Sequence, residues 1–218
     1  MNFNTNKQII IFLIYIYGHI LKSDLKTITI DYLELGNKYL DKLKENNVID
    51  IDKSSNLVSL TKESVKEVKN LTTIKKNNKQ ITNHNLLAFS ATLKLIQKLE
   101  IQSIDYEVPV SNTSLRVDLR IQLKNQSYIY LEFDNNTEPL EELKNKVTQY
   151  ELHNYNALFI FRTLNDKYRA LFTNSKVTCI GLDDLGDYEF DKIQELTKIP
   201  SILPLDSLRS FELIALND

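Results

Sequence analysis

The sequence predicts an α+β fold (α/β in the broad sense) in two parts: a helical front half with one hairpin, then a mixed sheet carrying helices. Three observations predict it. Apolar residues in the first 49 positions fall at helical spacing. The stretches 48–61 and 114–134 alternate apolar and polar residues with a period of two. Beyond 150, short apolar runs alternate with a short helical pattern, as in β-α-β units.

Taken in order, residues 7–21 read as an apolar helix. Its core "IIIFLIYIYGHIL" has thirteen residues, against about 20 needed to span a bilayer. With one lysine before it and no small-residue cleavage site after it, it is neither a membrane span nor a signal peptide. Ser23 or Asp24 offers an N-cap for a second helix. "TIDYLELGNKYLDKLKENNVI" (29–49) places Leu33, Tyr39, Leu40, Leu43 and Val48 on one helical face, and Asn46-Asn47 ends it. "VIDIDKSSNLVSLT" (48–61) reads as a hairpin around "DKSSN", and Thr61 caps the helix that follows. Helix, short helix, helix, hairpin, helix is the order of a winged helix, which predicts a domain over residues 1–75. In such domains the third helix enters the major groove and the hairpin touches backbone. Asn37 is then a candidate for a base edge, and Lys38, Lys42, Lys44 and Lys53 for phosphates.

The polar, lysine-bearing stretch "TTIKKNNKQITN" (72–83) reads as a linker into a second domain over 76–218. "NHNLLAFSATLKLIQKLE" (83–100) is a helix with Leu86, Phe89, Leu93 and Ile96 in one stripe and His84 at its start as a cap or surface residue. "SLRVDLRIQLKNQSYIYLEFD" (114–134) is a hairpin. One strand turns Leu115, Val117, Leu119, Ile121 and Leu123 one way and Arg116, Asp118, Arg120 and Gln122 the other. The return strand puts Tyr130, Glu132 and Asp134 opposite Ile129, Leu131 and Phe133. A turn at 124–126 pairs Leu123 with Ser127 and sets Asp118 across from Glu132, whereas a loop of even length breaks that pairing. Opposed carboxylates repel, so a divalent cation, a proton, or Arg116 and Arg120 must compensate; oxygen ligands of this type suit Mg²⁺ or Mn²⁺. A helix follows, with Thr137 as N-cap, Pro139 in its first turn, and Glu138, Glu141 and Glu142 at the positive end of its dipole. Lys146 and Tyr150 share a face of it. "ALFIFRT" (157–163) is a buried strand, "NDKYRALFT" (165–173) a short helix and "KVTCIGL" (176–182) a strand. "LDDLGDYEFD" (182–191) is an acidic surface run, and 199–214 a tail packing on the sheet.

Bulk properties narrow the function. The single cysteine, Cys179, excludes an internal disulfide and a cysteine-rich zinc site, and His19, His84 and His153 are not spaced as ligands. A reducing, cytoplasmic setting is the expectation. Glycine is scarce, at four, and Asn, Lys and Ile are frequent, which suggests an AT-rich coding bias. The net charge is −2, but residues 1–78 carry 12 basic and 9 acidic side chains, and residues 79–218 carry 15 and 20. The front half thus allows DNA contact without demanding it.

"VDLRI" followed by "YLEFDNNTEPLEELKNKVTQY" resembles the replication-relaxation family of plasmids, phages and integrative elements, and "NHNLLAFSATLKL" is similar to that family's His-containing linking helix. The resemblance covers roughly the whole chain and is most specific from Glu132 to Tyr150. It implies an N-terminal winged helix followed by a domain similar to the PD-(D/E)XK nuclease core. In active nucleases of that fold an Asp and a Glu bind Mg²⁺, and a Lys two residues after the Glu helps activate water. Mapped here, Asp118 and Glu132 are the metal acids, and Asp134 stands where the lysine is expected. Lys146 is a candidate to reach back and replace it, and Glu107 a further acid. The expected partners are double-stranded DNA, other replication or transfer proteins, and a second copy of the chain, with no membrane. Three functions remain open: a DNA-binding replication or mobilisation factor with a nuclease-like scaffold, a Mg²⁺-dependent endonuclease or nickase, and a protein-interaction module.

Overall fold

The computed structural model describes residues 3–31, 33–69, 75–99, 101–125, 127–173, 175, 177–186 and 210–212. The chain forms two compact units that divide between Leu93 and Lys94, rather than at the 75/76 boundary expected from the polar stretch.

The first unit begins with α1 (Phe3–Tyr17), in which every residue from Ile9 to Tyr17 is buried. A helix apolar on all sides is a core helix, which accounts for the hydrophobic run. The helix stops earlier than the expected 7–21 because Gly18 turns to φ +107°, a conformation glycine reaches without Cβ strain. Ile20–Leu21 is instead strand β1. Helix α2 (Lys22–Asp31) starts at Lys22, so Ser23 and Asp24 lie inside its first turn and are not its cap. The single helix expected over 29–49 is broken: α2 ends at Asp31, Glu34 takes φ 51°, and α3 spans Tyr39–Glu45. The apolar face read from the sequence is nevertheless real, since Leu33, Tyr39, Leu40, Leu43 and Val48 are all buried.

Strands β2 (Ile49–Ile51) and β3 (Leu57–Leu60) form the expected hairpin. Its turn is fixed by Asp52, whose Oδ1 accepts from the backbone N–H of Ser54 and Ser55 at 2.8 Å each. The Ser54 hydroxyl, which donates to the same oxygen at 2.6 Å, and next those backbone bonds hold the exposed Asp52 carboxyl well below its usual range. β1 pairs antiparallel with β3, giving a three-stranded sheet in the order β1-β3-β2, the winged-helix arrangement. Thr61 caps α4 (Lys62–Lys69) as expected, its Oγ1 accepting from Ser64 N at 3.2 Å.

The polar stretch after α4 is no free linker over its described part. Asn77 N donates to Tyr15 O, His19 N to Lys79 O and Ile81 N to His19 O, all at 2.8–2.9 Å, so residues 77–81 are stitched along the end of α1. Helix α5 (Asn83–Lys98) follows. Leu87, Ala88, Phe89, Ala91 and Leu93 are buried, a broader apolar surface than one stripe.

The second unit holds a six-stranded sheet whose strands lie in the order Thr178–Gly181, Ala157–Phe161, Tyr128–Asp134, Arg116–Leu123, Ile101–Pro109 and Ser210–Glu212. The sequence reading missed β4 (Ile101–Pro109), whose apolar residues do not alternate cleanly. β4, β5 (Arg116–Leu123) and β6 (Tyr128–Asp134) form an antiparallel meander. β6 then runs through α6 (Leu140–Leu152) to β7 (Ala157–Phe161), and β7 through α7 (Asp166–Phe172) to β8 (Thr178–Gly181), with both strand pairs parallel. Asn165 caps α7, accepting from Tyr168 N at 3.1 Å. One core cluster joins Tyr130, Phe159 and Phe161 of the sheet to Leu143, Val147 and Tyr150 of α6 and to Tyr168 and Phe172 of α7. Of the expected acidic run, residues 182–186 are described, with a 3-10 turn over Asp184–Gly186; the rest lies outside the described residues. Most of the expected 199–214 tail also lies outside them, and Ser210–Glu212 is strand β9, antiparallel to β4. No described helix is long and apolar enough to cross a membrane.

Among the described residues, five asparagines, Asn47, Asn56, Asn112, Asn136 and Asn154, have positive φ. Each sits in a turn that joins consecutive elements, for example Asn154 between α6 and β7.

Candidate acid–lysine site and nucleic-acid surface

The β5–β6 hairpin takes the odd-length turn. Leu119 pairs with Leu131, Ile121 with Ile129 and Gln122 with Tyr128, and Leu123 N donates to Ser127 O at 2.9 Å. Continued one step, this register sets Asp118 opposite Glu132. There the side chain enters the ladder: Asp118 Oδ2 accepts from Phe133 N at 2.8 Å. β6 is the strand between β5 and β7, and both of its faces are buried, so Glu132 is only 3% exposed. It was expected on a polar face; it lies instead beneath α6.

Helix α6 supplies the partners. Tyr150 donates its hydroxyl to Glu132 Oε1 at 2.6 Å, and Lys146 Nζ reaches Glu132 Oε2 at 3.3 Å. Lys146 also pairs with Glu138 Oε1 at 2.9 Å. Lys146 and Tyr150 are four residues apart on one helix face, which is why both meet the same carboxylate. Lys146 therefore reaches Glu132 from the following helix. Glu138, read in the sequence as a helix-dipole residue, is a second anchor for it; the signal that could have found it is its place eight residues, about two helical turns, before Lys146.

Asp134 has a different job from the one its position suggests. Its Oδ1 accepts from Thr137 N at 2.9 Å and Glu138 N at 3.2 Å, so it shapes the turn into α6. Thr137 is not the N-cap: the helix starts at Leu140 with Pro139 at the cap, because the residue before a proline is pushed out of helical geometry. Asp134 is buried and its Oδ2 has no hydrogen-bond partner. Asp134→Asn, which keeps Oδ1 and removes the buried charge, is expected to be neutral or stabilising in urea unfolding. Asp134→Ala should cost about 1–2 kcal/mol by orphaning two backbone N–H groups.

Both arginines are engaged by other groups. Arg120 pairs with Asp105 at 2.7 Å and lies over the Tyr128 ring, and Arg116 Nε donates to Glu107 O at 2.8 Å. Glu107 is exposed and has a positive φ. Burial, and next the charge of Asp118, push the Glu132 carboxyl up to about 7 against the pull of Lys146 and Tyr150. Burial opposes the charge on Lys146, but Glu132, Glu138 and Asp118 outweigh it and hold the ammonium above its usual range. Burial and then Glu132 push the Tyr150 phenol far up, so it stays a donor. Strongly perturbed groups converging on one point mark a functional-site candidate.

Asp118 and Glu132 are hard oxygen donors, the type Mg²⁺ uses, and that ion is commonly held by one or two carboxylates with water and substrate phosphate completing the shell. The raised Glu132 carboxyl fits such a group, because a nearby cation relieves the repulsion between the acids. Among the described residues no cluster of three or more His, Cys, Asp or Glu side chains is placed to hold a metal.

In the first unit, Asn37, Lys38, Lys42, Lys44 and Lys53 are all exposed. Lys38, Lys42 and Lys44 lie at or within α3, Asn37 directly before it, and Lys53 in the β2–β3 turn. Cys179 is half-buried, and burial pushes its thiol up to about 11, which suits a packing role better than a nucleophile.

No family model matches this sequence, and no curated protein matches it. Among solved structures, the chain is similar to the crystal structure of protein VC1899 from Vibrio cholerae, with 13% identity, a TM-score of 0.39, and coverage of 79% of this chain and 49% of that one. The chain thus spans about half the length of that protein.

Proposed function

We propose that this chain is a DNA-binding protein of a mobile genetic element, acting in plasmid or phage replication or mobilisation, with α3 and the β2–β3 hairpin against duplex DNA and the sheet unit as a nuclease-like scaffold. The observation that carries the reading is the winged arrangement with Asn37, Lys38, Lys42, Lys44 and Lys53 all exposed on α3, at its start or in the hairpin turn. Lysines there would neutralise phosphates and release counterions, and Asn37 would be free to meet a base edge. Duplex binding measured between about 50 and 200 mM salt tests it. Lys38→Ala/Lys42→Ala/Lys44→Ala is expected to reduce the log–log salt slope by about 3 and weaken binding by roughly 10–100-fold. A wild-type slope near zero would remove DNA from the reading.

A second reading, a Mg²⁺-dependent endonuclease or nickase, is favoured by one observation: Lys146 sits on Glu132, supplying from α6 the cation that β6 lacks. Asp118 and Glu132 would hold the metal, which when bound supplies an activated water and a Lewis acid for a phosphodiester. Lys146 would hold its positive charge beside the acids, and Tyr150 would fix the Glu132 carboxylate in one orientation. The expectation is that calorimetric titration detects Mn²⁺ binding at millimolar concentration or below, and that Asp118→Ala/Glu132→Ala abolishes it. Binding that survives the double substitution, or none to the wild type, sinks the nuclease reading and leaves the scaffold. Nicking of supercoiled plasmid, lost in Lys146→Met, would then separate a metal-binding scaffold from an enzyme.

A further inference from the structure

The ammonium of Lys146 is not shared evenly between its two acids. Its Nζ lies 2.9 Å from Glu138 Oε1 and 3.0 Å from Glu138 Oε2, but 3.3 Å from Glu132 Oε2. A charge-assisted N–H···O bond runs at about 2.7–2.9 Å. The pair with Glu138 therefore uses both carboxylate oxygens at close to that length, while the contact with Glu132 is stretched. Exposure follows the same order. The side chain of Glu132 is 4% exposed, and those of Glu138 and Lys146 are 19% and 29% exposed. The lysine lies on the solvent side of Glu132 and covers Oε2, the oxygen that Tyr150 does not bond.

The groups around the lysine are fixed without it. Tyr150 holds Glu132 Oε1 at 2.6 Å. Asp118 Oδ2 accepts from Phe133 N at 2.8 Å, which ties that carboxylate to β6. Asp134 Oδ1 accepts from Glu138 N at 3.2 Å, and Pro139 follows, so the backbone that carries Glu138 is held as well. Lys146 is the movable part, a compact charge with three rotatable donors on a flexible stem. Its move off Glu132 onto Glu138 alone would break one stretched bond and uncover Glu132 Oε2. Two acids would then face each other without the ammonium, an arrangement that a divalent cation relieves.

We propose that Lys146 is a gate on the acid pair: its ammonium neutralises Glu132 in the resting protein and withdraws onto Glu138 when a divalent cation takes its place at Asp118 and Glu132. Glu138 is then a positioning residue, the acceptor that lets the lysine leave Glu132 without losing its counter-charge. The gate rests on the reading of Asp118 and Glu132 as metal acids and goes beyond it. Metal affinity would be set by competition between two cations for one carboxylate.

Calorimetric titration of Mn²⁺ into the full chain, at one pH and ionic strength, tests the gate in the wild type, Lys146→Met, Glu138→Gln and the double variant. Lys146→Met is expected to bind about tenfold or more tightly, because the competing cation is gone. Glu138→Gln is expected to bind about tenfold more weakly, because the lysine then has only Glu132 to sit on; partners outside a metal's ligand set commonly change its affinity by about 10–100-fold. In the double variant the effect of Glu138→Gln should vanish. Lys146→Gln serves as a second variant if Lys146→Met does not fold. Binding measurable in Lys146→Met but not in the wild type would be the same result in stronger form, even though it sinks the nuclease reading. Equal affinities of the wild type and Lys146→Met would overturn the gate and leave the metal acids in place. So would a Glu138→Gln loss that persists in the Lys146→Met background, since Glu138 would then act on the ion directly. No binding in the wild type, Lys146→Met and Lys146→Gln alike would overturn both the gate and the metal reading beneath it.

Discussion

Glu132→Gln is expected to make the protein more stable above neutral pH and to flatten the dependence of its stability on pH. The carboxyl stands at about 7 in the folded chain against 4.5 in its ordinary state. A group whose folded value is raised contributes stability that is fully present below 4.5 and is lost as pH rises through 7. The shift corresponds to about 3 kcal/mol. Gln carries no proton to lose, so it should resemble the protonated wild type at low pH and exceed the wild type by up to about 3 kcal/mol near pH 8. Urea unfolding of both proteins at several pH values measures this. A variant that is weaker near pH 8 would mean that the attraction of Lys146 and Tyr150 for the carboxylate outweighs the cost of burying it beside Asp118.

Gly18→Ala is the second large effect. Gly18 combines φ +107° with a position where an added Cβ would overlap the backbone carbonyl of Lys79 and crowd the side chain of Asn77. The Lys79 oxygen accepts from His19 N and cannot move alone. The substitution therefore strains the end of α1 and displaces residues 77–81. We expect a loss of about 2–4 kcal/mol and faster proteolysis within 77–81 than in the wild type. An unchanged cleavage rate would mean that this segment is held by something other than its bonds to residues 15–19.

The element types were largely legible because they depend on local pattern. Period-two alternation located both hairpins, and the odd-length turn fixed the register that opposes Asp118 and Glu132. What the sequence concealed was tertiary. A strand buried on both faces cannot be told from a half-exposed one when its second face is Tyr130, Glu132 and Asp134, polar residues that α6 covers. The 29–49 stretch kept its apolar period across a break, because Leu33 and Tyr39 reach the same core from different elements. The stretch 72–83 reads as a linker in composition, whereas its residues 77–81 are tied to the end of α1 by backbone hydrogen bonds and by the Asn77 carboxamide, to which composition is blind. Asp134 was placed by analogy with a lysine, whereas its Oδ1 serves two backbone N–H groups before α6.

The positive-φ asparagines bear on how this chain relates to its own gene. Left-handed turn positions are usually given to glycine, with asparagine the next best occupant because its short amide tolerates that conformation. Glycine codons begin with two guanines, and asparagine codons with two adenines. A genome poor in G and C therefore supplies asparagine cheaply where another would write glycine. The turns at Asn47, Asn56, Asn112, Asn136 and Asn154, in a chain with four glycines, are what such a supply would produce. For proteins encoded this way, asparagine is the punctuation mark to search for, and an Asn-to-Gly exchange between relatives at such a site records a change of nucleotide composition with no change of fold.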